Sequence, residues 1–401
     1  MERLHPLSER WPLQLCIVAH FAYSALSGRD SGHIGGVERQ TSLMAHWFSQ
    51  RGHRVSVITW DEGQPENENL GGVHIIKVCA QESGVPGVRF FYPRWSSLNQ
   101  ALARANADIY YQNCGEYVTG QVALWCQLKQ RKFVYSVAAE ADCDRRLPFM
   151  KTRRERVLYR FGVKQADRIV VQTRTQQRLL AEGFGRQSQI IPMPCLGPQE
   201  TEWQQRNLPQ PAAQRVLWVG RISEEKRPDR FLAMAERCPH LQFDLVGPTN
   251  NSAYAHEVLS RAQELPNVTV RGRATPQQLA VFYRQAACLC CTSDNEGFPN
   301  VFLEAWSHGL PVVSTVDPDN LIVAEGLGLI ATDVLTLTEA VGRLLSSRDH
   351  WQAASANARR YYVAHHQLDV VMPQFERLFA DLVQTTNGAQ HRNMSTQQAL
   401  C

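Results

Sequence analysis

The chain has 401 residues, too many for one small core and enough for two domains of ordinary size. Hydrophobic residues make up 44% and charged residues 20%, a globular balance that excludes a disordered or fibrous chain. The net charge of +4 hides an asymmetry. Residues 1–205 carry 25 Lys+Arg against 19 Asp+Glu and residues 206–401 carry 17 against 19, so the first half is the basic one. No run of 18 apolar residues is present, and the apolar stretch 13–21 reads as a first buried strand rather than a spanning or signal segment. The eleven cysteines are scattered, many of them on apolar strands. They suggest reduced core thiols in a cytoplasmic protein, with Cys290 and Cys291 on opposite faces of one strand.

In chain order, strands are expected at 13–21, 54–60, 73–78, 108–112, 132–137, 168–172 and 189–192. Helical patterns lie between several of them, at 37–50, 120–130, 150–165 and 175–182. This alternation predicts parallel β-α-β units. A Pro- and Gln-rich stretch, 199–214, reads as a linker. The alternation then restarts, with strands at 215–220, 242–246, 268–270, 287–291 and 311–314 and helices at 230–237, 254–264, 276–285 and 300–308. Beyond Thr336 the pattern is helical to about Val383, and the polar end reads as disordered.

The most informative segment runs from Ser293 to Pro311. An apolar strand enters a polar turn, and a helix starts near Pro299 or Asn300. Such a turn presents backbone N–H groups and the positive end of a helix dipole at the carboxyl end of a strand, where open α/β sheets bind anionic ligands. Glu296 before the helix and Glu304 within it would repel phosphate but suit sugar hydroxyls. Donors for phosphate beside carboxylates for hydroxyls fit a nucleotide sugar. Either acid alone would serve equally well as a solvated surface group.

Three further segments bear on the same chemistry. Gly220 ends a strand and is followed by Arg221 and Lys226, cations able to pair with a diphosphate. Gly247 ends another strand at the expected edge of the site, and Arg273 follows a third, where it would stack on a base or stay solvated. Near the start, Gly35-Gly36 opens the first long helix, so its backbone could approach a phosphate. The segment before it, Tyr23 to Ile34, would hang over the site and gate the acceptor.

The Glu296-x₇-Glu304 pair resembles the E-x₇-E motif of retaining glycosyltransferases of the GT-B fold, family 4, and Arg221 to Lys226 resembles that family's G-R-x₄-K element. The resemblance covers the chain to about residue 385. It implies two Rossmann-like α/β domains facing each other across a cleft: residues 1–205 binding the acceptor and 206–367 the nucleotide sugar. A helix at 368–385 would cross back to the first domain, ahead of a disordered tail at 386–401. It further implies that Glu296 contacts the donor sugar and Glu304 the ribose, while Arg221 and Lys226 neutralise the diphosphate. Gly35, Gly36, Gly220, Gly247, Gly297, Phe298, Pro299 and Asn300 would line the donor. The expected reaction moves a hexose to a glycan or lipid-linked acceptor without cofactor or metal; nucleic acid is not an expected partner. A non-catalytic sugar-nucleotide-binding or scaffolding subunit is the alternative.

One departure bears on that alternative. Many relatives carry a histidine at the end of the fifth strand of the first domain, where this chain reads Ser136 to Asp144; either Glu140 or Asp142 faces the acceptor side instead, or that contact is absent. Asp142-x-Asp144 also mimics a metal-binding D-x-D, a role the two-Rossmann architecture argues against. Finally, residues 145–168 hold nine Lys/Arg against two acids, with Arg153, Arg156, Arg160 and Lys164 on one helical face. That face would lie on an anionic membrane at the cytoplasmic side, meet a lipid-diphosphate acceptor, or simply be solvated.

Overall fold

The computed structural model describes residues 12–29, 35–201 and 203–398, with side chains up to residue 384. The chain forms two compact units, residues 1–191 with 372–401, and residues 192–371.

In the first unit, β1 (Gln14–Val18), β2 (Arg54–Thr59), β3 (Asn69–Leu70), β4 (Val73–Lys77), β5 (Ile109–Asn113), β6 (Lys132–Ser136), β7 (Arg168–Val171) and β8 (Gln189–Ile190) form one sheet in the order 3-4-2-1-5-6-7-8. All neighbours are parallel except β3 and β4. The helix expected from residue 150 begins at Arg153, where the Thr152 hydroxyl accepts from the Glu155 amide and the Glu155 carboxylate accepts from the Thr152 amide. It packs on the helix Tyr117–Lys129 with almost no separation. A Cβ on Gly120 would lie 2.1 Å from the Leu158 carbonyl oxygen, and one on Gly162 would lie 2.6 Å from the Thr119 backbone. The packed face is therefore Tyr159, Gly162 and Val163, and the arginines are left outside.

The second unit contains β9 (Arg215–Val219), β10 (Gln242–Val246), β11 (Val268–Gly272), β12 (Cys288–Cys291), β13 (Val312–Ser314) and β14 (Gly328–Ile330), all parallel, in the order 11-10-9-12-13-14. Side chains alternate between two cores. Val216, Trp218, Cys288 and Cys290 enter one, and Leu217, Leu289 and Cys291 the other, so adjacent Cys290 and Cys291 do occupy opposite faces. The described cysteines are free. The strand order reverses direction between β9 and β12, and this switch point places the turns after those two strands side by side.

The boundary anticipated at 205/206 lies at 191/192. The reason is packing that composition does not reveal. Met193 and Cys195 enter the core around Leu217 and Trp306, and the Arg206 guanidinium binds the second unit. Likewise the terminal helix runs through Leu368–Gln398, longer than the expected 368–385, with helical backbone where a disordered tail was anticipated. Within the first unit, Phe375 and Phe379 are buried against Tyr111 and Phe48. Glu376 accepts from Arg51 and, at 2.9 Å, from His53 Nε2.

Candidate functional site

The turn after β12 is built around Thr292 to Asn300. Thr292 Oγ1 accepts from Trp218 Nε1 at 2.9 Å and donates to the Lys226 carbonyl at 2.8 Å, while the Asp294 amide donates to the Glu225 carbonyl at 3.0 Å. These bonds stitch the turn after β12 to the segment after β9. They carry Lys226 to Glu296, where the ammonium makes a short ion pair with the carboxylate. Ser293 Oγ donates to the same carboxylate oxygen at 2.7 Å, so Glu296 is held in one orientation. Around the pair, Arg230 binds Asp294 at 2.7 Å and Arg227 binds Asp229 at 2.8 Å. Arg221 is exposed at the end of β9 and has no ion-pair partner among the described residues.

The helix that follows is Asn300–Ser307, and Pro299 is its N-cap rather than its first helical residue. No side chain caps this helix, so its dipole end points into the turn without an internal anion. Phe298 lies against Trp306 and His366, which fixes the backbone of Gly297 and Phe298. One turn and a half inside, half-buried Glu304 accepts from Tyr283 Oη at 2.7 Å. Tyr283 stacks on His308, with ring centres 5.7 Å apart. Arg206 donates to the Tyr283 and Arg284 carbonyls at 2.9 Å each and to that of Ala286, closing the end of the helix Pro276–Gln285. Burial lowers the Arg206 guanidinium to about 10. Burial, together with the charges of Arg206, Arg284 and Arg359, lowers His308 to about 4.

The glycines take different parts from those expected. A Cβ on Gly247 (φ +150°) would lie 1.7 Å from the Gly220 carbonyl oxygen, so this position is glycine because the ends of β9 and β10 nearly touch. The amides of Gly220 and Gly247 are also engaged, with the Val246 and Gly272 carbonyls. In the first unit, the Gly35 amide donates to Glu38 Oε2 at 2.9 Å, which puts a carboxylate where a phosphate was expected; Gly36 is the first residue of that helix. The anticipated gating segment is partly a buried short helix, Tyr23–Ser27, and residues 30–34 lie outside the described residues.

The two acceptor-side acids differ in their surroundings. Asp142 is buried, and its Oδ2 accepts from the amides of Gly115, Ala138 and Ala139 at 3.2–3.3 Å. Burial pushes its carboxyl up against the opposing pull of those amides. It is a tie between the turns after β5 and β6, and not a residue free to meet an acceptor. Asp144 binds Arg146 at 2.7 Å, while the Asp142 carboxylate is turned to the three amides. Glu140 is half-buried in the same turn, and Arg273 is exposed after β11. Ser293 and Tyr283, which orient the two glutamates, carried no distinguishing sequence signal; only a hydroxyl three residues before Glu296 hinted at one of them.

Two family models match the chain: "Glycosyl transferase 4-like domain" over residues 35–195 and "Glycosyl transferases group 1" over residues 213–347. The D-inositol 3-phosphate glycosyltransferase of Mycolicibacterium smegmatis is 26% identical over 237 residues, 55% of each chain. The chain spans 25% to 55% of the length of the first curated relatives it matches. Sucrose-phosphate synthase from Thermosynechococcus elongatus superposes with a TM-score of 0.76 at 20% identity, covering 94% of this chain and 100% of that one. Anabaena HepE, crystallised with UDP and glucose, gives 0.71 at 16%, covering 92% and 100%.

Proposed function

Because the chain belongs to the GT-B glycosyltransferases that carry these two domains, we propose that it transfers a hexose, with retention, from a nucleotide sugar to a glycan or lipid-linked acceptor. The Lys226–Glu296 pair carries this reading. It joins a cation suited to diphosphate and a carboxylate suited to sugar hydroxyls at the switch point between β9 and β12. A bound donor offers each member a new partner: phosphate oxygens for the ammonium and hydroxyls for the carboxylate. Arg221 adds a forked donor, and the uncapped end of Asn300–Ser307 adds its dipole. Glu304, held by Tyr283, would accept from ribose hydroxyls.

As the glycosidic bond breaks, charge grows on the leaving diphosphate. Fixed cations and a helix end stabilise it without reorganising. The acceptor hydroxyl then attacks from the face the diphosphate leaves, so the stereochemistry is retained without a protein nucleophile. Contact with an anionic membrane through the helix Arg153–Gln165 is part of the same reading, supported by the exposed Phe149 and Val157 beside its cations. No helix among the described residues is long and apolar enough to cross a membrane.

The test is slow hydrolysis of a panel of nucleotide sugars by the full chain, starting with UDP-glucose. Release of nucleoside diphosphate from one donor, lost in Glu296→Gln, supports transfer. Tight binding of a donor that is never hydrolysed or transferred would favour the non-catalytic alternative.

A further inference from the structure

Three guanidinium groups converge on a pocket of the first unit that the donor chemistry does not use. Arg89, Arg94 and Arg154 line it with Phe90, Tyr117 and Glu155, around a cavity of about 200 Å³. Its walls come from the segments that follow β4, β5 and β6, so it lies at the carboxyl edge of the sheet, where α/β units hold ligands. The cavity is smaller than the usual 300 Å³ or more of a whole-ligand site, and suits a single charged group.

The cations are poorly matched from within. Arg154 lies 3.7 Å above the Phe90 ring centre and has no carboxylate partner among the described residues. Arg94 gives one Nη to the Gln81 carbonyl, yet its Nε is buried without a partner among the described residues. A buried, unsatisfied charged donor calls for an explanation, and an absent ligand is one. Arg89 binds Glu82 at 2.8 Å, but that acid is 78% exposed and the pair is weak. The one acid in the lining, Glu155, is turned to its own helix end, where Oε2 accepts from the Thr152 amide at 3.0 Å. Phe91 and Tyr92, which directly follow Phe90 in the chain, are 58% and 72% exposed.

We propose that this pocket binds an anionic group of the acceptor, a phosphate monoester or a carboxylate carried on a sugar, so that the first unit selects a charged acceptor. The proposal rests on the glycosyltransferase reading for the word acceptor, but the pocket's affinity for an anion does not. Forked guanidinium groups match the planar edges of carboxylate and phosphate alike.

Two measurements on the full chain test it. In calorimetric titration with inorganic phosphate, with nucleoside diphosphate present in excess to fill the donor site, Arg154→Gln should weaken binding about tenfold, the scale of one charge-assisted contact, and Arg178→Gln, an exposed position outside the pocket lining, should leave it unchanged. Arg154 is an exposed helical position, so its replacement spares the core; Arg94→Gln is the second variant. Phosphate that fails to bind, or that Arg154→Gln and Arg94→Gln bind as tightly as the wild type, overturns the proposal. In transfer assays with hexose phosphates, hexuronates and neutral hexoses, one charged class should be preferred, which names the group, and Arg154→Gln should raise its KM about tenfold. Equal use of neutral hexoses overturns it. Wild-type hydrolysis of nucleotide sugar is followed in parallel, so a failure of the transferase reading shows itself separately.

Discussion

The two units handle charge at corresponding sheet edges in opposite ways. Beyond β9 and β12 the acids are matched: Glu296 by Lys226, Asp294 by Arg230 and Asp229 by Arg227. Beyond β5 and β6, three acids gather instead. Asp142 and Glu38 both raise the proton affinity of Glu116, while the cations of that unit collect in a separate pocket. A matched pair needs no ligand to be tolerable, and a ligand that offers both members new partners can part it. Like charges held together favour keeping a proton, and a pocket in which cations outnumber acids favours an anion. On the proposed reading, the second unit would exchange partners when a donor binds, and the first would discriminate acceptor charge.

The sharpest way to break this comparison is to remove one member of the matched pair. Lys226→Ala leaves the Glu296 carboxylate with Ser293 alone and, if Lys226 meets the diphosphate as proposed, removes a charge-assisted contact to it. The expected loss is about 1.5–3 kcal/mol, roughly ten- to hundredfold in kcat/KM and in nucleoside diphosphate affinity, with an unchanged circular dichroism spectrum. Wild-type kinetics in this variant would remove the phosphate role from Lys226.

The first unit's cations are tested next. Replacing Arg153, Arg156, Arg160 and Lys164 together should weaken binding to anionic vesicles by about 1 kcal/mol for each charge free to reach the surface. Arg156 Nε already donates to the Met150 carbonyl at 3.0 Å and Arg160 to that of Arg145 at 2.9 Å. Arg153 and Lys164 should therefore account for more of the effect. Vesicle binding that survives all four changes, or is absent from the start, would make this helix a solvated face.

How far the sequence could be read follows from the range of each interaction. Both parallel sheets, the switch-point turn and the Glu296–Glu304 spacing were legible, because periodicity and a strand–turn–helix order are local. The division at Ile191/Pro192 was not, because Arg206 reaches carbonyls about 80 residues away and the intervening chain looks like a linker. Nor was Asp142, whose D-x-D neighbourhood suggested metal or acceptor chemistry. Its three amide donors come from Gly115, Ala138 and Ala139, and the first of these lies on another strand's turn. Gly247 was legible as a special position but for the wrong reason, since the atom it must avoid belongs to Gly220 rather than to a ligand.

The clustered acids give a smaller, pH-dependent signature. Burial, with Asp142 and Glu38 nearby, raises Glu116 from 4.5 to about 7. A native pKa above the unfolded one contributes stability that is fully present below about 4.5 and lost as the pH rises through 7. Unfolding free energy should thus fall across that window by about 1–3 kcal/mol, and Glu116→Gln should flatten the fall. An unaltered pH profile in Glu116→Gln would mean that folding does not raise the Glu116 carboxyl.

The finest test separates the two glutamates of the second unit through the groups that hold them. Tyr283→Phe removes only the hydroxyl that donates to Glu304, leaving the ring stacked on His308. One neutral-to-charged hydrogen bond is lost, with Glu304 still able to turn toward water, so the expected cost is about 0.5–1.5 kcal/mol. If Glu304 serves the ribose, that cost falls equally on nucleoside diphosphate and on the intact nucleotide sugar. Ser293→Ala removes the corresponding donor to Glu296 but leaves Lys226 in place. If Glu296 serves the sugar, this variant should lower turnover while nucleoside diphosphate, which lacks the sugar, binds as before. Calorimetry with the product nucleotide beside transfer rates reads both. A Ser293→Ala variant that loses nucleotide affinity as much as Tyr283→Phe does would show the two carboxylates acting as one unit, and the division of labour between them would fail.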